Sequence, residues 1–544
     1  MTSSDLASTG HSAQPDQPEI RQSWSETLRS FLHPRVITML FLGFSAGIPI
    51  LLIFSSLSLW LTEAGVKKSA VTFFSWAALG YSFKFVWAPL VDRLPLPLLT
   101  GMLGRRRGWM LLSQLAVIGA LVWMAMTNPG TDTSSLTVMA LAAVALGFSS
   151  ATQDIVIDAY RIDSAGDELQ ALMSSTYIAG YRIGMIVAGA GALYLAQYFG
   201  STKEIYNYEA WRNTYIVMGA VMLIGVATTL VISEPTARGE AQSTHSVGDH
   251  VRFFLAFVVA VVAFILVFRF SGDLVSAAKS TLTEFFDNRH LAGLIVSTVR
   301  LGVAVAVVWG VAKLLSKANA VNGAMIREAY MEPIGDFFSR YGMSLAILLL
   351  FLVGFYRVSD IVLGVIANVF YQDMGFTKVQ IANVSKVFGL WMTIIGGFLG
   401  GLFAVRFGVM RILLLGAVLS AGTNLLFILL ANSAGSGEIV EGSGNINLLF
   451  MVIGADNLSA GLASAAFIAF LSSLTNVSFT AVQYAIFSSL MTLFPKVLGG
   501  YSGTFVESMG YTNFFIMTTL LTVPVIVLIL FTRKRFDKPV KFAD

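Results

Sequence analysis

Cysteine is absent from the 544 residues, so the chain can build no disulfide framework, thiolate metal site or cysteine nucleophile, and redox chemistry gives no clue to its compartment. Charge is scarce as well: Asp, Glu, Lys and Arg make up 12% of the residues, against roughly 25% in soluble domains. The five histidines, His11, His33, His245, His250 and His290, are scattered outside the apolar runs with no ligand spacing. Neither a Ser-His-Asp order nor a phosphate-cradling loop is present, so the sequence offers no enzymatic site, metal or cofactor. No block of Lys and Arg alternates with aromatics, and the net charge of +4 does not call for nucleic acid. Hydrophobic residues are what the chain has, at 56%, spread along most of its length. This is the composition of an all-α polytopic membrane protein.

Hydropathy divides the chain. Residues 1–35 are rich in Ser, Gln, Asp and Pro without an apolar core and read as a disordered cytoplasmic tail. Six apolar runs follow near 36–62, 69–94, 108–127, 136–160, 169–198 and 211–232, and six more near 343–371, 378–404, 409–432, 447–472, 478–498 and 511–532. Two further runs near 251–270 and 291–315 lie between them, an even-numbered insertion that preserves sidedness. The expected domains are an N-terminal six-helix bundle over 36–232, a linker with an inserted transmembrane hairpin over 233–342, a C-terminal six-helix bundle over 343–532 and a cytoplasmic tail over 533–544. That makes about 14 transmembrane helices. The outer loop of the hairpin, SGDLVSAAKSTLTEFFDNRH, reads as a short amphipathic helix. With both termini inside, about 21 Lys and Arg fall in cytoplasmic segments and about 8 outside, as the positive-inside rule requires.

Charges inside these runs are candidates for function, since one near mid-membrane costs at least roughly 2.5–3.5 kcal/mol on insertion scales. Asp154 and Asp158 are four residues apart in the fourth run, so both carboxylates stack on one helix face. They imply a water-lined path, a cationic partner or a bound proton. Lys84, Arg182 and Arg357 fall near the middle of their runs and Lys386 in an outer third; together they would attract an anion. Tyr81 and Trp87 stand three residues to either side of Lys84, giving a cation flanked by aromatics that either stack on a sugar or fill space. Arg182 either meets substrate or pairs across to Asp154. Arg357 and Asp360 are three apart and either act on substrate or neutralise each other; Asp456 is a further intramembrane acid. With no nucleotide-hydrolysing domain, uphill transport would draw on an ion gradient, with protons the leading candidate.

Each half carries a related loop between its second and third runs: APLVDRLPLPLLTGMLGRRRGW and GGLFAVRFGVMR. They resemble the Gly-x-x-x-Asp-Arg-x-Gly-Arg-Arg loop of the major facilitator superfamily, with Ala88 in place of the leading glycine and Val405 in place of the second acid. Asp92, Arg93, Arg105, Arg106 and Arg406 are the expected gating charges. The segments FLGFSAGIPILLIFSSLSLWL, YSFKFVWAPLVDR, ATQDIVIDAYRID, GYRIGM, FYRVSD, GFTKVQIANVSKVFGLWMTIIGG and ADNLSAGLASAAFIAFLSSLTN are similar, in order, to the AmpG-type muropeptide permeases. The resemblance covers nearly the whole chain apart from the tail and the hairpin. It implies the major facilitator fold, a bacterial inner membrane, and proton-driven import of anhydro-muramyl peptides by a monomer, with Gln153, Asp154 and Asp158 in the family's Gln-Asp-x-x-x-Asp element. The alternatives are an acetyl-coenzyme-A-carrier-like or other anionic glycoconjugate transporter and, outside transport, a membrane sensor or sugar transferase. A sensor lacks its output domain here, and a transferase its clustered acids and metal.

Overall fold

The computed structural model describes every residue except 1–28, 67–80, 82, 131, 202–204, 236–245, 287–288, 434–442, 500–501 and 537–544. Thirteen helices among the described residues are long and apolar enough to cross a bilayer. Most of the expected tail over 1–35 and most of the second run lie outside the described residues.

The first half comprises α1 (Pro34–Leu51), α2 (Arg105–Ala125), α3 (Thr133–Ser164), α4 (Asp167–Ile186) and α5 (Tyr208–Val221), the last continued by Leu223–Val231. The inserted segment holds α6 (Val247–Phe270), α7 (Gly272–Phe286) and α8 (Arg289–Lys317). The second half holds α9 (Glu332–Phe355), α10 (Val358–Asp373), α11 (Gly389–Phe407), α12 (Val409–Ser433), α13 (Ile446–Leu474), α14 (Thr480–Gly499) and α15 (Ser502–Phe536).

Sequence punctuation explains where these helices begin and break. Pro34 opens α1, where a missing N–H costs nothing, and the His33 ring accepts from the Arg35 N–H. Asp132 and Asn445 cap α3 and α13 through their side chains. Gly104 and Gly408 take positive φ of 90° and 87° immediately before α2 and α12, so the two signature loops turn alike in the two halves. Gly342 and Gly510, at φ of 71° and 75°, split α9 and α15 and detach a short helix from the start of each span. The tail expected from residue 533 is instead helical through Phe536.

Within the halves, glycines bring backbones together. In lipid, apolar surface supplies no driving force between helices, so close approach through small residues carries the association. A Cβ at Gly180 of α4 would sit 1.9 Å from the Leu40 carbonyl oxygen of α1, and one at Gly47 of α1 would sit 2.0 Å from that of Tyr181. The second half repeats the device between α11 and α13, where Cβ atoms at Gly396 and Gly461 would stand 2.0 Å from Leu458 O and 2.1 Å from Thr393 O. Gly180→Val is therefore expected to lower the thermal midpoint of the detergent-solubilised protein, since overpacking against rigid backbone costs about 1–3 kcal/mol or more. Gly119→Val, with nothing within 4 Å of its Cβ, should leave it unchanged; equal midpoints for the two variants would contradict the packing argument.

The inserted hairpin sits apart. Only 6% of the residues in either of its spanning stretches are buried, and Phe253 anchors it by packing near Tyr330 (6.4 Å between rings). Arg300 of α8 sets its register: Nε donates to Ser271 Oγ at 2.9 Å and the guanidinium lies 4.4 Å over the Phe268 ring. The end of α6 is thus level with Arg300, so the first turns of α8 extend past it. α7, the expected amphipathic loop helix, folds along those turns with Lys279 beside Gly293.

Candidate transport site and gate

The fourth-run carboxylates have different partners. Lys84, on a tight turn of 3-10 helix at Lys84–Val86, reaches Asp158 with Nζ–Oδ2 at 3.5 Å, and both are buried. Asp158 also meets Arg161 of its own helix at 3.3 Å. Asp154, one turn away, forms no ion pair among the described residues and its buried Oδ1 accepts no hydrogen bond. The alternative in which Arg182 pairs across to Asp154 is therefore not realised: no ion pair joins them, and Lys84 is the cation nearest the acids.

Arg182 remains half-buried on α4 and its only hydrogen bond is to Met185 Sδ at 3.8 Å. It lies within electrostatic reach of Arg357 in the other half. The two cations thus face the same partly exposed space between the halves. Arg357 stands where the seventh run breaks between Phe355 and Val358, bonds Ser464 of α13 and pairs with Asp360 at 3.4 Å. The neutralising arrangement of that pair is the one formed. Asp360 also accepts from Ser420, and Asp456 accepts from Thr423 at 3.3 Å. Lys386 is exposed on the π-helical turn Ala382–Phe388. Lys84, Arg357 and Lys386 therefore all sit at irregular backbone, a feature that tends to mark function in membrane helices and that hydropathy does not show.

Three residues expected around the substrate are turned into the protein wall. Gln153 is fully buried and donates from Nε2 to Ser45 Oγ of α1 at 2.9 Å. Trp87 is buried, donates to Thr152 Oγ1 at 3.1 Å and packs 4.7 Å from Phe148. The Tyr81 hydroxyl donates to Ser150 Oγ at 2.7 Å. The aromatic flanks of Lys84 fill space here and offer no open stacking face, because the 3-10 turn swings them toward α3.

At one end of the molecule the first signature loop becomes a joint between the halves. Arg106 NH1 meets Asp92 at 2.9 Å, its Nε meets Asp163 at 2.7 Å, and its NH2 bonds Thr480 of α14. The Asp92 carboxylate accepts the backbone N–H groups of Ala481 (3.2 Å) and Val482 (3.0 Å). It caps the positive end of α14 across the interface. Arg105 donates to the Asp92 carbonyl at 2.7 Å, and Arg93 pairs with Glu328 of the linker at 3.8 Å while lying 5.7 Å from the Phe479 ring. Arg406 occupies the matching last turn of α11. Glu234 was not visible as a site residue in the sequence. Its two oxygens accept from Arg106 N at 2.7 Å and Arg107 N at 3.0 Å, capping α2, and burial pushes its carboxyl above the ordinary range despite those bonds. A Cβ at Gly104 would come within 2.4 Å of it.

Arg106 neutralises two buried acids, and removing one member of such a buried set costs about 3–5 kcal/mol. Arg106→Gln is accordingly expected to loosen the joint, raising the alkylation rate of a cysteine introduced at the buried Ala485 of α14 by about tenfold or more. An unchanged rate would mean the joint does not depend on this guanidinium.

The sequence profile of the Major Facilitator Superfamily matches residues 83–354, half of the chain. The chain belongs to the Major Facilitator Superfamily. The matched stretch runs from the Lys84 turn through the first signature loop to the end of α9. Among curated relatives of this superfamily member is the "Putative transporter AmpG 4" of Rickettsia felis, 28% identical over 503 residues, covering 92% of this chain and 97% of the relative. The "Anhydromuropeptide permease" of Escherichia coli K12 is 27% identical over 514 residues, covering 94% and 82%. The chain is thus a multi-pass membrane permease and not an enzyme. Among solved structures the proton:xylose symporter XylE aligns with a TM-score of 0.54 at 11% identity, covering 93% of this chain and 96% of that one, which places the major facilitator fold across the whole chain.

Proposed function

We propose that this permease imports anhydro-muramyl peptides from periplasm to cytoplasm across a bacterial inner membrane, driven by protons. The observation that carries the reading is an imbalance of charge between the halves. Arg182 is a half-buried cation with no carboxylate partner among the described residues, while Asp154 is a buried acid with no cation of its own. Arg182 supplies a counter-charge for a substrate carboxylate, with Arg357 and Lys386 on the facing half. Asp154 requires a bound proton, water or a cation, and the proton fits a chain with no other energy source. The near-full-length similarity to an anhydromuropeptide permease supports the cargo.

In this reading the Asp92–Arg106 joint closes the cytoplasmic side and the arrangement faces the periplasm. Loading of substrate and proton then favours rocking of one half on the other, which withdraws Asp92 from the α14 terminus. Competition for binding tests the cargo. An anhydro-muropeptide should displace a labelled copy of itself, whereas acetyl-coenzyme A should not. Displacement by the coenzyme alone would move the assignment to the carrier of that compound.

A further inference from the structure

Arg161 is the one arginine among the described residues with no exposed surface, and neither the loop signature nor the charge census of the spans singled it out. Its guanidinium donates from NH1 to Ser174 Oγ of α4 at 2.8 Å and from NH2 to Asp158 Oδ1 at 3.3 Å. Its plane lies 5.1 Å from the ring of Tyr484 on α14, in the opposite half, and 6.0 Å from that of Tyr177 on α4. Nε has no partner. The charged and titratable groups around it are therefore Asp158 from its own helix, Tyr177 from α4 and Tyr484 from α14. Lys84 shares Asp158 from the other side.

This placement links two parts of the molecule. Asp158 belongs with Asp154 to the intramembrane acid pair, whereas Tyr484 is one turn along α14 from Thr480, Ala481 and Val482, the residues gripped by Arg106 and Asp92. A guanidinium presents its edge to a carboxylate and its face to an aromatic ring at the same time. While Asp158 is ionised, the edge contact fixes the plane against Tyr484. When Asp158 loses its charge, a fully buried cation with an unused donor is free to turn toward another acceptor, and the Tyr484 face is released.

We propose that Arg161 is a positioning residue that makes closure of the halves at the Asp92 end depend on the charge of Asp158. The proposal deepens the proton-driven reading, because it supplies a route from an intramembrane acid to the gate. Its test needs no substrate, so an error in the cargo leaves it standing or falling by itself.

The absence of cysteine makes the experiment direct. Nitroxide labels at Met102→Cys and Val477→Cys, both exposed near the joint and on opposite halves, report the separation of the halves by double electron–electron resonance. In the otherwise unchanged protein the short distance should dominate. Asp158→Asn and Arg161→Gln should each shift the closed-to-open ratio by about five- to 150-fold, the range of typical coupling between sites. The double variant should shift it no further than either single one, and Arg161→Lys, which keeps the charge, should retain most of the closed population. Tyr484→Leu removes the aromatic face without exposing a buried charge, and serves if Arg161→Gln does not fold; it too should open the joint and be non-additive with Asp158→Asn. The proposal is overturned if these variants keep the parent ratio, or if their effects add independently to that of Asp158→Asn.

Discussion

Asp154→Asn is expected to leave exchange of substrate across the membrane intact while abolishing accumulation against a gradient. The geometry sets the direction. Asp158 takes the nearby cations, with Lys84 at 3.5 Å and Arg161 at 3.3 Å, so its charge is compensated inside the protein. Asp154 is equally buried and has neither an ion pair among the described residues nor a hydrogen bond to Oδ1. An uncompensated carboxylate at that depth costs at least roughly 2.5–3.5 kcal/mol, which the cycle can avoid by binding a proton there. Asn reproduces the neutral form permanently, so binding and exchange proceed while energy coupling is lost. Counterflow and pH-driven uptake, measured on one preparation in proteoliposomes, separate the two. Full pH-driven accumulation by the variant would remove Asp154 from the coupling pathway.

Arg182→Met should weaken binding of a muropeptide about ten- to 150-fold, since a hydrogen bond to a charged group is worth about 1.5–3 kcal/mol. The same variant should bind the uncharged disaccharide core almost as well as the parent does, because no carboxylate is lost from that ligand. Lys84→Met is the informative contrast. Lys84 is committed to Asp158, so its removal should weaken charged and uncharged ligands alike, through rearrangement of the acids. Titration calorimetry with both ligands on both variants gives the comparison. Equal losses for Arg182→Met would reassign that residue to scaffold charge.

The sequence made the fold legible because each span is a long apolar run whose length alone fits a bilayer, and because the hairpin adds two such runs and so preserves sidedness. The acids at 154 and 158 were equally visible, as charges where lipid-facing chains carry none. Their partners were not. Lys84 and Asp158 lie 74 positions apart on different spans, and nothing in either segment says which cation faces which acid; Arg182, set among small residues, looked the better match for Asp154. Trp87 and Tyr81 were misleading because helical spacing assumes a regular helix, whereas the chain around Lys84 winds as a 3-10 turn. Arg161 escaped notice near the end of its run, where charge is ordinarily solvated. A second signal was present in hindsight: it is three residues from Asp158, on the same helix face. Glu234 was hidden because a cap on another helix is a tertiary contact with no local pattern.

The central claim is proton-driven import of a cell-wall fragment. It is tested most directly by the uptake of a labelled anhydro-muropeptide into proteoliposomes with an imposed pH gradient. The account predicts accumulation above the external concentration when the outside is acidic, collapse of that accumulation when a protonophore dissipates the gradient, and none in Asp154→Asn. Accumulation that ignores the gradient, or a gradient-driven uptake that the muropeptide neither enters by nor competes with, would contradict it.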